Sequence, residues 1–161
     1  MRRILTACLA SLLFAGAAQA AIGLTRADFE RVVDFSVTLK DLAAAAEGTE
    51  SVPAGKFVVI NGTVSDVNVI DKEQASFRVR IELITGEWIG TEDVKSYSCY
   101  VDFNGPEFFK AFPARPPRVA AAGTVVINSR VIVVGRPVEV TKTPLGEKRV
   151  LLQGIFVRAV Q

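Results

Sequence analysis

Residues 55–67 have the sequence G-K-F-V-V-I-N-G-T-V-S-D-V, a β-branched stretch with one internal glycine. The apolar run that ends at Ile60 favours a strand, and the pattern resumes at Val64. A glycine inside a strand marks a bulge or a sharp bend. Because the first strand of a small closed barrel needs such a bend, the stretch predicts a β-barrel whose first strand bends at Gly62.

The first twenty residues have the features of an export signal. Arg2 and Arg3 precede an apolar segment that extends to Ala15, and a small-x-small motif ends at Ala20. The apolar segment is shorter than the roughly 20 residues of a spanning helix, which disfavours an uncleaved anchor. A lipidated Cys8 would leave too short an apolar region before it. We therefore predict cleavage after Ala20 and a periplasmic or secreted protein.

Removal of residues 1–20 leaves 141 of the 161 residues, with 17 basic and 17 acidic side chains and a net charge of zero. These charges are segregated along the chain. Residues 21–107 contain 8 basic and 15 acidic side chains, whereas residues 108–161 contain 9 and 2. Such segregation makes either a bipolar surface or two halves that neutralise each other across paired strands, and both alternatives are open at this point.

The residue inventory disfavours catalysis. The chain has no histidine, which removes the imidazole base and the imidazole metal ligand. Cys99 is the only cysteine after the leader and alternates in phase with Val101 and Phe103, so we predict a buried hydrophobe rather than a nucleophile. Carboxylate pairs such as Glu92 and Asp93 lie in predicted polar turns. We therefore predict a protein that is not an enzyme and needs no metal or cofactor.

Residues 25–48 fit two kinds of element. Thr25 and Thr38 are each followed three residues later by an aspartate, the form of a helix capping box. Residues 33–39 alternate between apolar and polar side chains, which is typical of a strand. We predict a helix throughout, because neither glycine nor proline interrupts the segment and four alanines precede Gly48. A linker at residues 47–55 follows.

Apolar alternation predicts further strands at residues 76–83, 96–103, 130–140 and 148–160, with a short one at 124–127. Residues 69–75 are predicted to be a polar turn, and residues 85–95 a long acidic connection that contains the only tryptophan. Pro137 should lie at an edge or a bulge. In the second strand four apolar residues should point inward, and Phe108, Phe109 and Phe112 should plug the barrel. The inward set is Phe77, Val79, Ile81 and Leu83.

The order of elements resembles the OB-fold, a five-stranded Greek-key barrel with a helical connection between its third and fourth strands. The resemblance covers residues 55–160 and depends on Gly62, on Gly105 before the connection, and on V-I-V-V-G at 131–135. With L-K-D-L-A at 39–43 and Y-S-C at 97–99, the chain looks like exported bacterial OB domains of the tRNA-anti-like group. That resemblance implies a nucleic-acid-binding ancestry, but an OB barrel does not determine its ligand. The chain departs from the pattern in its proline-broken connection and in the insertion at 85–95.

The predicted organisation is a signal peptide at 1–20, an N-terminal helical segment and linker at 21–54, and a mainly β, five-stranded OB-like barrel at 55–161. OB domains bind oligonucleotides or oligosaccharides on the outward face of strands two and three and on the adjoining loops. We predict that this face binds a nucleic acid or an anionic glycan, weakly because the net charge is zero. The predicted ligand-binding residues are Arg78, Arg80, Trp88, Tyr100, Arg136, Lys142, Lys148 and Arg149.

A second hypothesis belongs to a different class of protein. Residues 108–118 combine three phenylalanines with Pro116 and Pro117, which are flanked by Arg115 and Arg118. Such a segment is typical of a contact loop, so the alternative function is a structural or protein-interaction component of the cell envelope.

Overall fold

The structure, a computed structural model, describes residues 25–51, 55–113 and 123–160. The predicted signal peptide, residues 52–54 of the linker and residues 114–118 of the predicted contact loop lie outside the described residues. Within those three ranges, no helix is long and apolar enough to span a membrane.

The N-terminal segment is two helices rather than one. Helix α1 (Arg26–Val32) ends at a two-residue strand, β1 (Val33–Asp34), and helix α2 (Leu39–Glu47) follows. Strand β1 pairs in parallel with Phe57 and Val58. The prediction of a continuous helix is therefore wrong, and the alternation in residues 33–39 indicated the strand.

The two capping boxes explain the break. Both are confirmed, with Thr25 and Thr38 as N-caps. An N-cap residue has an extended backbone, as Thr38 has with φ −113° and ψ 169°, so a second cap requires the preceding helix to have ended. Asp34 stabilises the turn between them, because its carboxylate accepts hydrogen bonds from the backbone N–H and the hydroxyl of Ser36.

Five long strands form a closed barrel. In the described residues the sheet order is β1-β2-β3-β4-β6-β5, and β2 also pairs with β5. Strand β4 runs parallel to β6, and the other long pairs are antiparallel. This mainly β, Greek-key closure is that of an OB barrel, so the predicted fold class is confirmed. The strands are β2 (Phe57–Asp71), β3 (Arg78–Ile89), β4 (Asp93–Asn104), β5 (Arg130–Lys142) and β6 (Lys148–Ala159).

Strand β2 changes partners near its internal glycine. Residues 58–63 pair with β5 and residues 63–71 pair with β3, so one strand belongs to both halves of the barrel. A Cβ at Gly62 would lie 3.1 Å from both the carbonyl oxygen of Ile84 and Cδ1 of Leu39. Gly62 therefore lies beside the point where β2 changes partners, as predicted, while the register irregularities of β2 follow at Val64–Asp66 and Val69–Asp71. The absence of a side chain at Gly62 leaves room for Leu39 of α2.

Residues 85–95 are not a loop. Strands β3 and β4 continue through them as a hairpin, in which Glu87 pairs with Lys95 and Trp88 with Val94. The turn includes Gly90, whose φ of +71° is favourable for glycine. Cross-strand pairing continues to Ile89, although the alternation of buried and less buried side chains ends at Ile84, so the sequence pattern gave no sign of the hairpin.

Two smaller predictions also fail. Strand β2 continues to Asp71, whose carboxylate accepts hydrogen bonds from the Glu73 N–H and the Ser76 hydroxyl, so the polar turn is shorter than predicted. Residues 124–127 form no strand, because Ser129 accepts a hydrogen bond from the Val126 N–H and closes a turn. Pro137, by contrast, lies at a confirmed irregularity in the β5–β6 register.

The two ends of the barrel are closed by different elements. At one end Phe108 and Phe112 pack against Phe103, with ring centroids 4.9 and 5.4 Å apart. Phe109 is 37% exposed, with its ring centroid 5.4 Å from that of Phe77 in an edge-to-face arrangement, so its predicted burial is wrong. At the other end α2 buries four small or aliphatic side chains against β4 and β6. These are Leu39, Leu42, Ala45 and Ala46.

Candidate ligand face and groove

The outward face of β3 and β4 presents a double row of side chains. The prediction that Arg78, Arg80 and Glu82 point away from the core is confirmed, since the residues between them are buried. Register fixes which side chains lie across from one another. The outward pairs are Arg78–Asn104, Arg80–Asp102, Glu82–Tyr100, Ile84–Ser98, Gly86–Ser96 and Trp88–Val94.

Arg80 is held by a bidentate ion pair. Its Nε and Nη2 donate to the two carboxylate oxygens of Asp102 at 2.6 and 2.9 Å, which raises the pKa of Arg80. The guanidinium carbon also lies 5.7 Å from the ring centroid of Tyr100. The ion pair neutralises Arg80 but fixes its position beside an aromatic ring, as a stacking surface requires.

Tyr100 stays a neutral phenol at physiological pH. Partial burial raises its pKa, and the nearby Glu82 carboxylate raises it further. The ring is half-buried at the centre of the face. It therefore offers an uncharged aromatic surface to a ligand.

Arg149 is the place where the acidic and basic halves of the chain meet. Its Nη2 donates to Glu147 at 2.6 Å, its Nη1 donates to the carbonyl of Lys148, and its Nε lies 4.0 Å from Glu82. The Nε–H is buried and has no hydrogen-bond partner. Neutralisation between the two halves thus occurs at this contact, and among the described residues no other ion pair joins them.

Four of the predicted basic residues have no carboxylate within ion-pair distance in the described part of the chain. These are Arg78, Arg136, Lys142 and Lys148, and all are exposed. Lys142 and Lys148 lie directly opposite each other at the β5–β6 turn. Like charges in this position destabilise a hairpin, so the turn holds a local positive charge at some cost. Arg78 instead donates a hydrogen bond to Asn104.

Trp88 lies near the tip of the β3–β4 hairpin and is 70% exposed. It shares the outward face with Tyr100, because both belong to the same set of alternate residues. The structure thus brings Arg78, Arg80, Trp88 and Tyr100 onto one face. Lys142, Lys148 and Arg149 lie at the β5–β6 turn, and Arg136 pairs with Gln153 further along β5.

Sequence reasoning missed a groove between α2 and the beginnings of β4 and β6. Its volume is about 350 Å³, and its lining includes Lys40 and Lys95, neither of which was predicted. Lys40 pairs with Glu87 at 2.8 Å, and Glu87 also accepts a hydrogen bond from the Tyr97 hydroxyl. Two features of the sequence pointed to the groove. They are the capping box at Thr38, which marks the start of α2, and Lys40 in the first turn of that helix.

Cys99 is fully buried, as predicted, and burial raises the pKa of its thiol to about 12. Such a thiol is a poor nucleophile. Within the described residues no cluster of three or more His, Cys, Asp or Glu side chains could hold a metal ion.

The aromatic part of the predicted envelope contact is largely internal. Phe108 and Phe112 are buried, which leaves Phe109 as the exposed phenylalanine of that segment. In the described part of that segment, residues 108–113, the exposed aromatic surface is therefore limited to Phe109.

No protein-family model matches the chain, and no curated protein sequence matches it. Among solved structures, the chain is similar to the small single-stranded DNA-binding protein from Streptomyces coelicolor, with 14% identity, a TM-score of 0.39, and coverage of 65% of this chain and 91% of that one. It is also similar to Plasmodium falciparum SSB in complex with ssDNA, with 11% identity, a TM-score of 0.39, and coverage of 65% and 94%. At these values the assignment of the fold depends on the strand order and register described above.

Proposed function

We propose that this protein is a non-enzymatic binding module that holds an extended anionic chain, an oligonucleotide or an anionic glycan, on the outward face of β3 and β4. The observation that supports this most directly is the presence of two accessible aromatic side chains, Trp88 and Tyr100, on one face. Val94, which lies opposite Trp88, is six residues from Tyr100, a separation of about 20 Å along a strand. Two stacking positions so far apart suit an extended polymer better than a compact ligand.

The charges predict weak binding. Asp102 neutralises Arg80, and Glu147 neutralises Arg149. The predicted cations left for phosphate or sulfate groups in the described residues are Arg78, Arg136, Lys142 and Lys148. We expect dissociation constants no tighter than about 10⁻⁴–10⁻⁶ M at physiological salt, with a steep loss of affinity as salt rises.

The intrinsic fluorescence of Trp88 provides the test, because it is the only tryptophan. Titration with single-stranded DNA or a sulfated glycan at low salt should quench it, and anisotropy of a labelled ligand should give the affinity. Trp88→Ala should weaken binding about tenfold if one base stacks there. Phe156→Ala, which removes an exposed aromatic residue of β6, is the matched control and should bind as wild type does.

A triple variant, Lys142→Ala with Lys148→Ala and Arg149→Ala, should bind more weakly and show a smaller dependence on salt. Wild-type protein that binds neither polymer at low salt, or a triple variant with unchanged affinity and salt slope, would contradict the proposed function.

We also propose that the chain acts outside the cytoplasm, on the strength of the basic, apolar and small-residue pattern in residues 1–20. An intact-mass measurement after expression with an export pathway should show a chain that begins at Ala21. A mass that still includes Met1 to Ala20 would refute export by cleavage.

A further inference from the structure

The groove between α2 and the barrel has the composition of an anion site. Besides Lys40 and Lys95 it is lined by Lys148 and Arg149, and Glu47 is the one carboxylate in its lining. Its volume of about 350 Å³ is in the range of sites for small ligands. The hydroxyl-bearing residues Thr49, Ser96, Tyr97 and Ser98 complete the polar lining.

Two of these cations have no carboxylate within ion-pair distance in the described residues. Lys95 stands beside the Tyr97 ring, 5.5 Å from its centroid, and Lys148 stands opposite Lys142. Lys40 and Arg149 are partly neutralised by Glu87 and Glu147. An anion in the groove would therefore be paired mainly with Lys95 and Lys148.

Arg149 supplies a second, independent observation. Its Nε–H is buried and makes no hydrogen bond, since the Glu82 carboxylate lies 4.0 Å away, and a charged donor in that state costs more than an exposed one. The cost of this orphan donor, like the repulsion between Lys142 and Lys148, falls when a negatively charged group lies nearby.

The wall formed by α2 does not repel an anion as strongly as a free helix C-terminus would. The carbonyl oxygen of Ala44 accepts hydrogen bonds from the Gly48 N–H, the Thr49 N–H and the Thr49 hydroxyl. Because hydrogen bonds from the chain itself already satisfy this carbonyl, the lysines of the groove lining are not needed as its donors.

We propose that this groove binds a phosphate group. A doubly charged phosphate matches two unpaired lysines, and the serine hydroxyls of the lining can donate to its oxygens. The phosphate belongs either to a small free phosphate compound or to the end of a nucleic-acid strand on the outward face. Ser96, Ser98 and Tyr100 are consecutive outward residues of β4, so the groove adjoins that face. The strand-end form depends on the proposed function, whereas the free-phosphate form does not.

The experiment is calorimetric titration of the mature protein with pyrophosphate at low salt. Wild type should show saturable binding, and Lys95→Ala combined with Lys148→Ala should weaken it at least tenfold. Both lysines are exposed, so the double variant should fold. Lys110→Ala removes an exposed lysine at the aromatic end and is the matched control, with unchanged affinity expected. No saturable binding to wild type, or equal affinity in the double variant, would overturn the proposal.

Oligonucleotides with and without a 5′-phosphate distinguish the two sources. Tighter binding of the phosphorylated strand, lost in the Lys95/Lys148 variant, would support a strand end in the groove. Equal binding of the two strands, with pyrophosphate still bound, would support a small free ligand. Pyrophosphate binding without any binding of oligonucleotide or glycan would contradict the proposed function and leave the phosphate groove supported.

Discussion

The two ends of this barrel are closed by different chemistry. At one end the rings of Phe103, Phe108 and Phe112 fill the interior. At the other end α2 contributes leucine and alanine side chains, and a groove remains between the helix and the barrel. A ring cluster of this kind leaves no room for a ligand, whereas a helix with alanines toward the sheet comes close without filling the space beside it. We therefore expect the aromatic end to contribute mainly to stability and the helical end to contribute the proposed phosphate binding.

Truncation at the aromatic end should have the largest effect. Phe112→Ala removes a ring that is 2% exposed and in contact with Phe103, and we expect a loss of about 3–5 kcal/mol in the free energy of unfolding. Urea denaturation would measure it. Phe109→Ala is the matched control, since that ring is 37% exposed and should cost clearly less. Equal losses in the two variants would contradict the ring packing described here.

At the helical end, Leu42→Ala should lower the free energy of unfolding by about 2–4 kcal/mol, because this side chain of α2 is fully buried. The same variant should weaken pyrophosphate binding, since α2 forms one wall of the groove. Phe112→Ala should leave that affinity unchanged under conditions where it is folded. Loss of affinity in both variants would mean that the two ends are not separable in function.

The two capping boxes allow a comparison between α2, which is packed on the barrel, and α1, which has no buried residue. Thr38→Ala should destabilise the protein by about 1 kcal/mol, because α2 is packed on the barrel and its N-cap is lost with the hydroxyl. Thr25→Ala removes an equivalent cap from α1, which has no buried residue, and should leave global unfolding nearly unchanged. A global loss as large for Thr25→Ala as for Thr38→Ala would show that α1 unfolds together with the barrel.

The smallest expected effect concerns pH. Hydrogen bonds from Lys40, and then from Tyr97, hold the pKa of Glu87 below its ordinary value. A carboxylate with a lowered pKa contributes stability above its ordinary pKa, and that contribution is lost as pH falls through the lowered value. We therefore expect Glu87→Gln to be less stable than wild type at neutral pH, and the difference to vanish in acid.

Denaturant midpoints measured from neutral to acid pH would show this difference. Glu92→Gln, in the same hairpin but without an ion-pair partner in the described residues, is the control. A difference between Glu87→Gln and wild type that persists at low pH would mean that the effect is not due to the carboxylate.

Much of the barrel could be predicted from local patterns. Alternation fixed the inward residues of β3, and the glycine in residues 55–67 marked the place where β2 changes partners. The hairpin at Trp88 was missed because polar side chains dominate its composition, although cross-strand pairing depends on register rather than on hydrophobicity. The break before α2 was missed because two caps were interpreted as parts of one helix.

The candidate site was less predictable, for a physical reason. The face of β3 and β4 follows from alternation within each strand, so Arg78, Arg80 and Tyr100 could be assigned to it. The groove needs α2, β4 and β6 to meet, and Lys40, Lys95 and Lys148 are far apart in sequence. Their proximity follows from strand order and helix docking, neither of which a local pattern specifies.

The barrel closes through a short parallel contact, in which residues 100–102 of β4 meet residues 151–153 of β6. The hairpins β3–β4 and β5–β6 join neighbouring parts of the chain, whereas this contact and the pairing of β2 with β5 join distant ones. Because distant contacts carry the larger loop-closure entropy, the two hairpins should form early and the seam between them last. Replacing Leu152, fully buried at that seam, should then accelerate unfolding far more than it slows folding.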